Sequence, residues 1–201
     1  MDPISVLPNE KIHAQGEISR IFLDLGITRF QAACAHVQAM PYGLNSNREK
    51  VLALFQEGYG NCTTKHGAIA RLAQELRLPV YKNLGFYRLD ESIVTGVAQI
   101  LAPYNLPFLP QIHCFLEYQT YWVDLTEGNC NGKNKKLEVY DFVIRVKPEL
   151  TEQQELNYYR TFLQQYFHLA PALGQVEEST ILQLLAACNR QVNYQCSLMA
   201  A

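Results

Sequence analysis

The 201-residue chain has no extended run of basic residues, and its formal net charge is -2. That absence argues against a nucleic-acid groove or a patch built for an anionic membrane surface. Its densest lysine group, Lys133, Lys135 and Lys136 in "NGKNKK", lies in a Gly/Asn-rich stretch and reads as a solvated loop. No segment reaches the roughly 18 apolar residues of a membrane span. The opening "MDPISVLPNEK" has neither the basic region nor the apolar run of a secretory signal. These features lead us to expect a soluble, cytoplasmic protein. The six cysteines, Cys34, Cys62, Cys114, Cys130, Cys188 and Cys196, form no C-x-x-C pair, which argues against a paired-ligand metal site or a disulfide framework. Internal repeats and low-complexity segments are absent too. No cofactor is expected, and the expected partner is a protein, a peptide or a small amide. Oligomeric state is left open.

What is present suits one globular domain over 1–201, with 48% hydrophobic and 18% charged residues. Its core is expected over roughly 48–146, with helices over 17–40 before it and 151–196 after it. From Glu17, Ile18, Ile21, Phe22 and Leu25 have helical spacing and Gly26 follows as a stop. Thr28, with Gln31 three residues on, predicts the cap of a second helix, and Asn47 that of a short third one. In "GYGNCTTKHGAIARLAQELRLPV" the glycines at 58 and 60 permit a tight approach, Asn61 is a plausible N-cap, and Cys62 opens the helix. Ile69, Leu72, Ala73 and Leu76 then fall on one face, and Pro79 stops the helix near Leu78. Next come strand-like stretches "PVYKNLGFYRL", "QIHCFLEY", "TYWVDLT" and "LEVYDFVIRV". Helical patterns resume at "TEQQ" from Thr151 and again around Ile181 to Cys188. Helices, an antiparallel sheet and more helices make the expected class α+β.

The chemistry concentrates in two places. A thiol in a helix's first turn meets unpaired backbone N–H groups and the positive end of the dipole, which lower its pKa from about 8.5. The segment from His113 to Thr126 reads as a hairpin turning at Gln119-Thr120, with Tyr118 opposite Tyr121. In that register His113, Phe115, Glu117, Trp122, Asp124 and Thr126 share one face. His113 and Asp124 become diagonal neighbours about 7–8 Å apart at the backbone, which an imidazole and a carboxylate can bridge. The other face, Cys114, Leu116, Val123 and Leu125, reads as core. Together these are the parts of a Cys62-His113-Asp124 triad, with Glu117 as the alternative orienting carboxylate.

In its order of parts the chain resembles the transglutaminase-like superfamily. The parts are Gly-x-Cys opening a helix, "RLAQELRLPV" closing it into a strand, His on a later strand and "WVDLT" on the next, covering roughly 48–127. The resemblance implies a papain-like core in which Cys62 is the nucleophile, His113 the base and Asp124 its orienter. It also implies thiol-dependent acyl transfer or amide hydrolysis, in a superfamily that spans transglutaminases, peptidases, amidases and members without activity. Thr63 stands where an aromatic residue is usual, and the His-to-Asp connection is short. The backbone N–H of Cys62 and Gln56, six residues before it, are candidate oxyanion donors, and Trp122 is a candidate wall of the substrate pocket. Two rival readings are a catalytically silent domain that binds a protein or peptide, and a zinc site at Cys62, His66 and His113. In the triad reading Lys65 and His66 are expected at the site rim or in solvent, and the five other cysteines are expected to be packing residues.

Overall fold

A computed structural model describes residues 3–200. After a short 3₁₀ turn come α1 (Glu17–Asp24), α2 (Phe30–Ala39), α3 (Leu52–Glu57), α4 (Cys62–Glu75), β1 (Val80–Leu89) and α5 (Val97–Leu101). They are followed by β2 (Leu109–Tyr118), β3 (Tyr121–Val123), β4 (Phe142–Val146), α6 (Glu152–Leu169) and α7 (Glu178–Ala200). The strands form one four-stranded antiparallel sheet in the order β3-β2-β1-β4, so the class is α+β. Two compact units share the chain. The first takes residues up to Leu84, Cys114–Asn129 and Ile144–Thr151, and the second takes Gly85–His113, Cys130–Val143 and the residues from Glu152 on.

In the first unit α4 is the central helix. Ile69, Leu72 and Ala73 are fully buried in a core that also holds Phe22 of α1, Phe30 and Val37 of α2, Leu54 of α3, and Leu116 and Val123 of the sheet. The far end of α4 also organises its neighbour. The Glu75 carboxylate accepts the backbone N–H groups of Ile18 (3.0 Å) and Ser19 (2.7 Å), filling donors that the first turn of α1 cannot satisfy itself. A carboxylate at a helix N-terminus also complements the dipole, so one side chain ties α1 to the end of α4.

Three sequence expectations are corrected here. The N-cap of α2 is Arg29, not Thr28. Gln31 does not reach back to a cap; it donates to the carbonyls of Leu7 (2.7 Å) and Ser5 (3.3 Å). Asn47 caps a turn, accepting from Glu49 N–H at 3.1 Å, while α3 begins only at Leu52. The hairpin register is as expected, with Tyr118 opposite Tyr121, Glu117 opposite Trp122 and Leu116 opposite Val123. Strand β3, however, ends at Val123 and not at Thr126. The Asp124 carboxylate captures Thr126 N–H (2.8 Å) and Thr126 Oγ1 (2.7 Å), a local turn that competes with the ladder.

The second unit is built around aromatic rings. Phe142 lies 5.3 Å from both Phe162 and Tyr166 of α6, and Phe86 of β1 lies 4.4 Å from Phe162. Arg88 grips Asp141 with two bonds of 3.0 Å, and the buried Tyr159 hydroxyl donates to Pro110 O at 3.0 Å. Helix α7 is tied to its unit by Gln191 on Thr95 O (2.8 Å) and by Asn189, which accepts from Gln111 (2.8 Å). Among the described residues no helix is long and apolar enough to cross a membrane.

Candidate active site

The turn before α4 is fixed from both sides. Gly58 closes α3 with φ of +74°, a conformation that a side chain rarely adopts. At Gly60 a Cβ would come within 2.5 Å of Thr64 Oγ1 and 2.6 Å of Leu54 Cδ1, so the turn packs with no room for a side chain. Asn45 clasps the same turn by donating to Tyr59 O (2.7 Å) and accepting from Thr64 Oγ1 (2.7 Å). Asn61 is the N-cap expected from the sequence, its Oδ1 accepting from Thr63 N–H (3.0 Å) and Thr64 N–H (3.2 Å). Cys62 follows as the first residue of the helix. It is half-buried, while Thr63 to Ala70 behind it are all buried.

A second thiol stands beside it. Cys114, buried on β2, is hydrogen-bonded to Cys62, and its sulfur lies 3.7 Å from Thr63 Oγ1. The bond to Cys62 is the main reason the Cys114 thiol is held well above its ordinary pKa. Burial adds to that effect and the nearby Lys82 charge opposes it. Cys114 therefore keeps its proton, and a protonated thiol can donate to the Cys62 sulfur, which favours negative charge there. Lys82, 1% exposed on β1, donates to Pro148 O at 3.0 Å. Burial lowers its pKa, whereas both thiols favour its charge. Sequence alternation puts Cys114 on the apolar face of the hairpin. It is indeed buried, but as a partner of Cys62.

Lys65 and His66 are the clearest departure from the sequence reading, since neither is at a rim: both side chains are fully buried. Lys65 extends to the end of α2, where Nζ donates to Gln38 O (3.2 Å) and to Met40 O, placing a cation on carbonyls that the helix leaves unsatisfied. Burial lowers its pKa to about 8, with the Asp124 charge working against the shift. His66 Nδ1 contacts Cys62 O at 2.8 Å, and Nε2 accepts Leu125 N–H at 2.8 Å. A ring nitrogen that accepts a backbone N–H leaves the other to carry the proton, so Nδ1 donates to the Cys62 carbonyl. The imidazole thus ties the first turn of α4 to the residues following β3. Asp124 Oδ1 lies 3.4 Å from Nε2, but that nitrogen's lone pair already takes the Leu125 N–H, so the two are neighbours rather than an ion pair. The signal was present in the sequence. Counting back three and four from Ile69 along the buried face lands on His66 and Lys65.

In the first unit, then, Cys62, Cys114, His66 and Asp124 come together where the start of α4 meets β2 and the end of β3. Asp124 is partly exposed and held by Thr126. Trp122 is half-exposed and packs on Phe115 at 5.1 Å, as the shared hairpin face requires. Glu117 is engaged on that face by Arg145 (2.7 Å) and Asn83 (2.7 Å). Gln56 is exposed at the end of α3. His113 belongs to the second unit as divided above and is buried on β2, immediately before Cys114. The zinc alternative at Cys62, His66 and His113 is not supported. Among the described residues no group of three or more His, Cys, Asp or Glu is placed to hold a metal ion, and both His66 nitrogens already have backbone partners. Compared with family models, curated proteins and solved structures, the chain matches none, so the transglutaminase-like resemblance rests on its residues and their placement.

Proposed function

We propose that the protein is a thiol-dependent acyl-transfer or amide-hydrolysing enzyme that works through a thioester on Cys62. One observation carries the reading: the half-buried Cys62 stands in a capped helix's first turn and is hydrogen-bonded by a thiol that keeps its proton. Both features favour the thiolate, the form that attacks a carbonyl. His113 is proposed as the base. That assignment is supported by the order of the parts along the chain and by the hairpin register, in which His113 falls on the face of Glu117 and Trp122. Asp124, anchored by Thr126, is proposed to orient that imidazole.

The steps balance without further groups. The Cys62 thiol proton passes to His113, and the thiolate adds to the carbonyl carbon with the Cys62 backbone N–H as an oxyanion donor. His113 then returns the proton to the departing amine as the C–N bond breaks. Water or a second amine, deprotonated by the same imidazole, releases the acyl group and restores the thiol. An amide or peptide is favoured over phosphates and sugars, which call for cationic clamps or paired carboxylates.

The test is a panel of peptide, glutaminyl and acyl-amide substrates with single variants. Cys62→Ala and His113→Ala are expected to abolish turnover while keeping the fold. Asp124→Asn is expected to reduce kcat by about three to four orders of magnitude through the wrong tautomer. No turnover from folded wild-type protein across the panel, with Cys62 alkylating no faster than a thiol in the unfolded chain, would replace this reading with a silent protein- or peptide-binding domain. Full activity in His113→Ala would remove the base assignment.

A further inference from the structure

We propose that Cys62 and Cys114 form a hydroperoxide-responsive thiol pair, in which Cys62 is oxidised first and Cys114 resolves it to a reversible disulfide. The pairing is unlike that of the other cysteines. Cys34 and Cys188 are buried, Cys130 is exposed with its thiol on Met199 O (3.3 Å), and Cys196 lies near Cys130. At the start of α4, by contrast, the half-buried Cys62 lies beside the buried Cys114 of β2, whose sulfur is 3.7 Å from Oγ1 of the next residue, Thr63, so a small oxidant meets Cys62 before Cys114. The inference needs only the two thiols and does not depend on which acyl group the enzyme handles, or on whether it handles one.

The chemistry closes with a hydroperoxide as oxidant. The Cys62 thiolate attacks the outer peroxide oxygen, the O–O bond breaks, and the departing alkoxide or hydroxide takes up a proton, leaving Cys62 as a sulfenic acid. Cys114 sulfur then attacks the Cys62 sulfur. The S–O bond breaks and water leaves with the hydroxyl and the Cys114 proton. Two thiols have lost two electrons, and the peroxide has gained them.

The neighbourhood favours this order. While Cys62 carries negative charge, its hydrogen bond keeps Cys114 protonated and unreactive. Once Cys62 is a neutral sulfenic acid that hold is gone, and the interaction with Lys82, which favours the Cys114 thiolate, is no longer opposed by it. The attacking thiolate therefore forms only after its target does.

The experiment uses full-length protein carrying Cys130→Ser and Cys196→Ser, treated with hydrogen peroxide and read by intact mass and peptide mapping. The expected result is a loss of about 2 Da, a single 62–114 linkage, and recovery of both thiols with dithiothreitol. The linkage should form at least about tenfold faster in folded protein than in urea, because the fold holds the thiols at a high effective concentration. In Cys114→Ala, Cys62 should instead be trapped by dimedone as the sulfenic acid and proceed to the sulfinic acid. If Cys114→Ala does not fold, Cys114→Ser and the mapping of the parent protein decide. Cys62 passing directly to the sulfinic acid while Cys114 stays alkylatable overturns the proposal. So does resistance of both thiols to peroxide, or equal linkage rates in folded and unfolded chains. A disulfide that forms in a protein with no turnover keeps this inference and removes the acyl-transfer reading, and turnover without a disulfide does the reverse.

Discussion

The two ends of helix α4 share one sequence periodicity and bury nearly everything on it, but with opposite chemistry. Toward the C-terminal end, Ile69, Leu72 and Ala73 sit in a core of Phe, Leu and Val side chains. Toward the N-terminal end the same face carries Cys62, Lys65 and His66, each engaged by a specific partner: the Cys114 thiol, the α2 carbonyls, and the Leu125 N–H. Apolar burial is non-directional, so the C-terminal end needs only volume and shape. Buried polar groups are tolerated only when matched, so the N-terminal end needs particular atoms in particular places. A helix that stabilises the fold at one end can therefore hold a costly, organised thiol at the other.

That contrast predicts what each end does when altered. The largest effect on stability belongs to the apolar end. Leu72→Ala, at a fully buried position, is expected to cost about 2–5 kcal/mol in urea denaturation through lost burial and the cavity left behind. The alkylation rate of Cys62 in the protein that remains folded should stay near that of wild type. A loss below about 1 kcal/mol would mean that α4 is not central to the core.

Lys65 gives the next largest effect, and its sign is fixed by burial. Its folded pKa of about 8 lies below the ordinary 10.5, so between those values the unfolded chain binds the proton more fully than the folded one. Stability must then rise with pH across that window, by at most ~3 kcal/mol, and be insensitive to this group below it. Thiols and tyrosines whose pKa burial raises work the other way at alkaline pH, so the measurement is a difference. The denaturation midpoint of wild type relative to Lys65→Met should climb between about pH 8 and 10. Parallel curves would show that the folded protein holds Lys65 charged without penalty.

How far the sequence discloses this site depends on the range of the interactions involved. Asn61 as N-cap, Cys62 as first helical residue and the Tyr118–Tyr121 register are local matters, set by capping chemistry and a two-residue loop, and they were readable. The end of β3 was not, because Asp124 can serve either a strand or a turn with Thr126, and the turn prevails. Thr28 failed as a cap because Gln31 finds the distant carbonyls of Ser5 and Leu7. Cys114 was legible as buried but not as a thiol partner, since alternation along a strand does not say which helix end lies opposite. Lys65 and His66 are the opposite case, because their charge and polarity point to solvent while their spacing places them on the buried face. A buried periodic face does not stop where the residues become polar if the fold supplies partners for them.

The smallest expected effect tests the hinge of the comparison, the cap that joins fold to chemistry. Asn61 Oδ1 takes the N–H groups of Thr63 and Thr64, which orders the first turn in which Cys62 sits. Asn61→Ala should cost about 1 kcal/mol of stability, the usual worth of an N-cap, whereas Asn61→Asp should recover most of it because a carboxylate also accepts and complements the dipole. The two variants should separate at the thiol. Alanine loosens the turn and frays the start of α4, so Cys62 loses the ordered backbone dipoles that favour its thiolate. Aspartate restores the order but sets a negative charge next to the sulfur, which disfavours a second one. The pH profile of Cys62 alkylation should therefore move to higher pH in both, and in Asn61→Asp it should do so without loss of the denaturation midpoint. An unmoved profile in both variants would show that the helix start contributes nothing to the thiol, leaving its activation to Cys114, Lys82 and the proposed base.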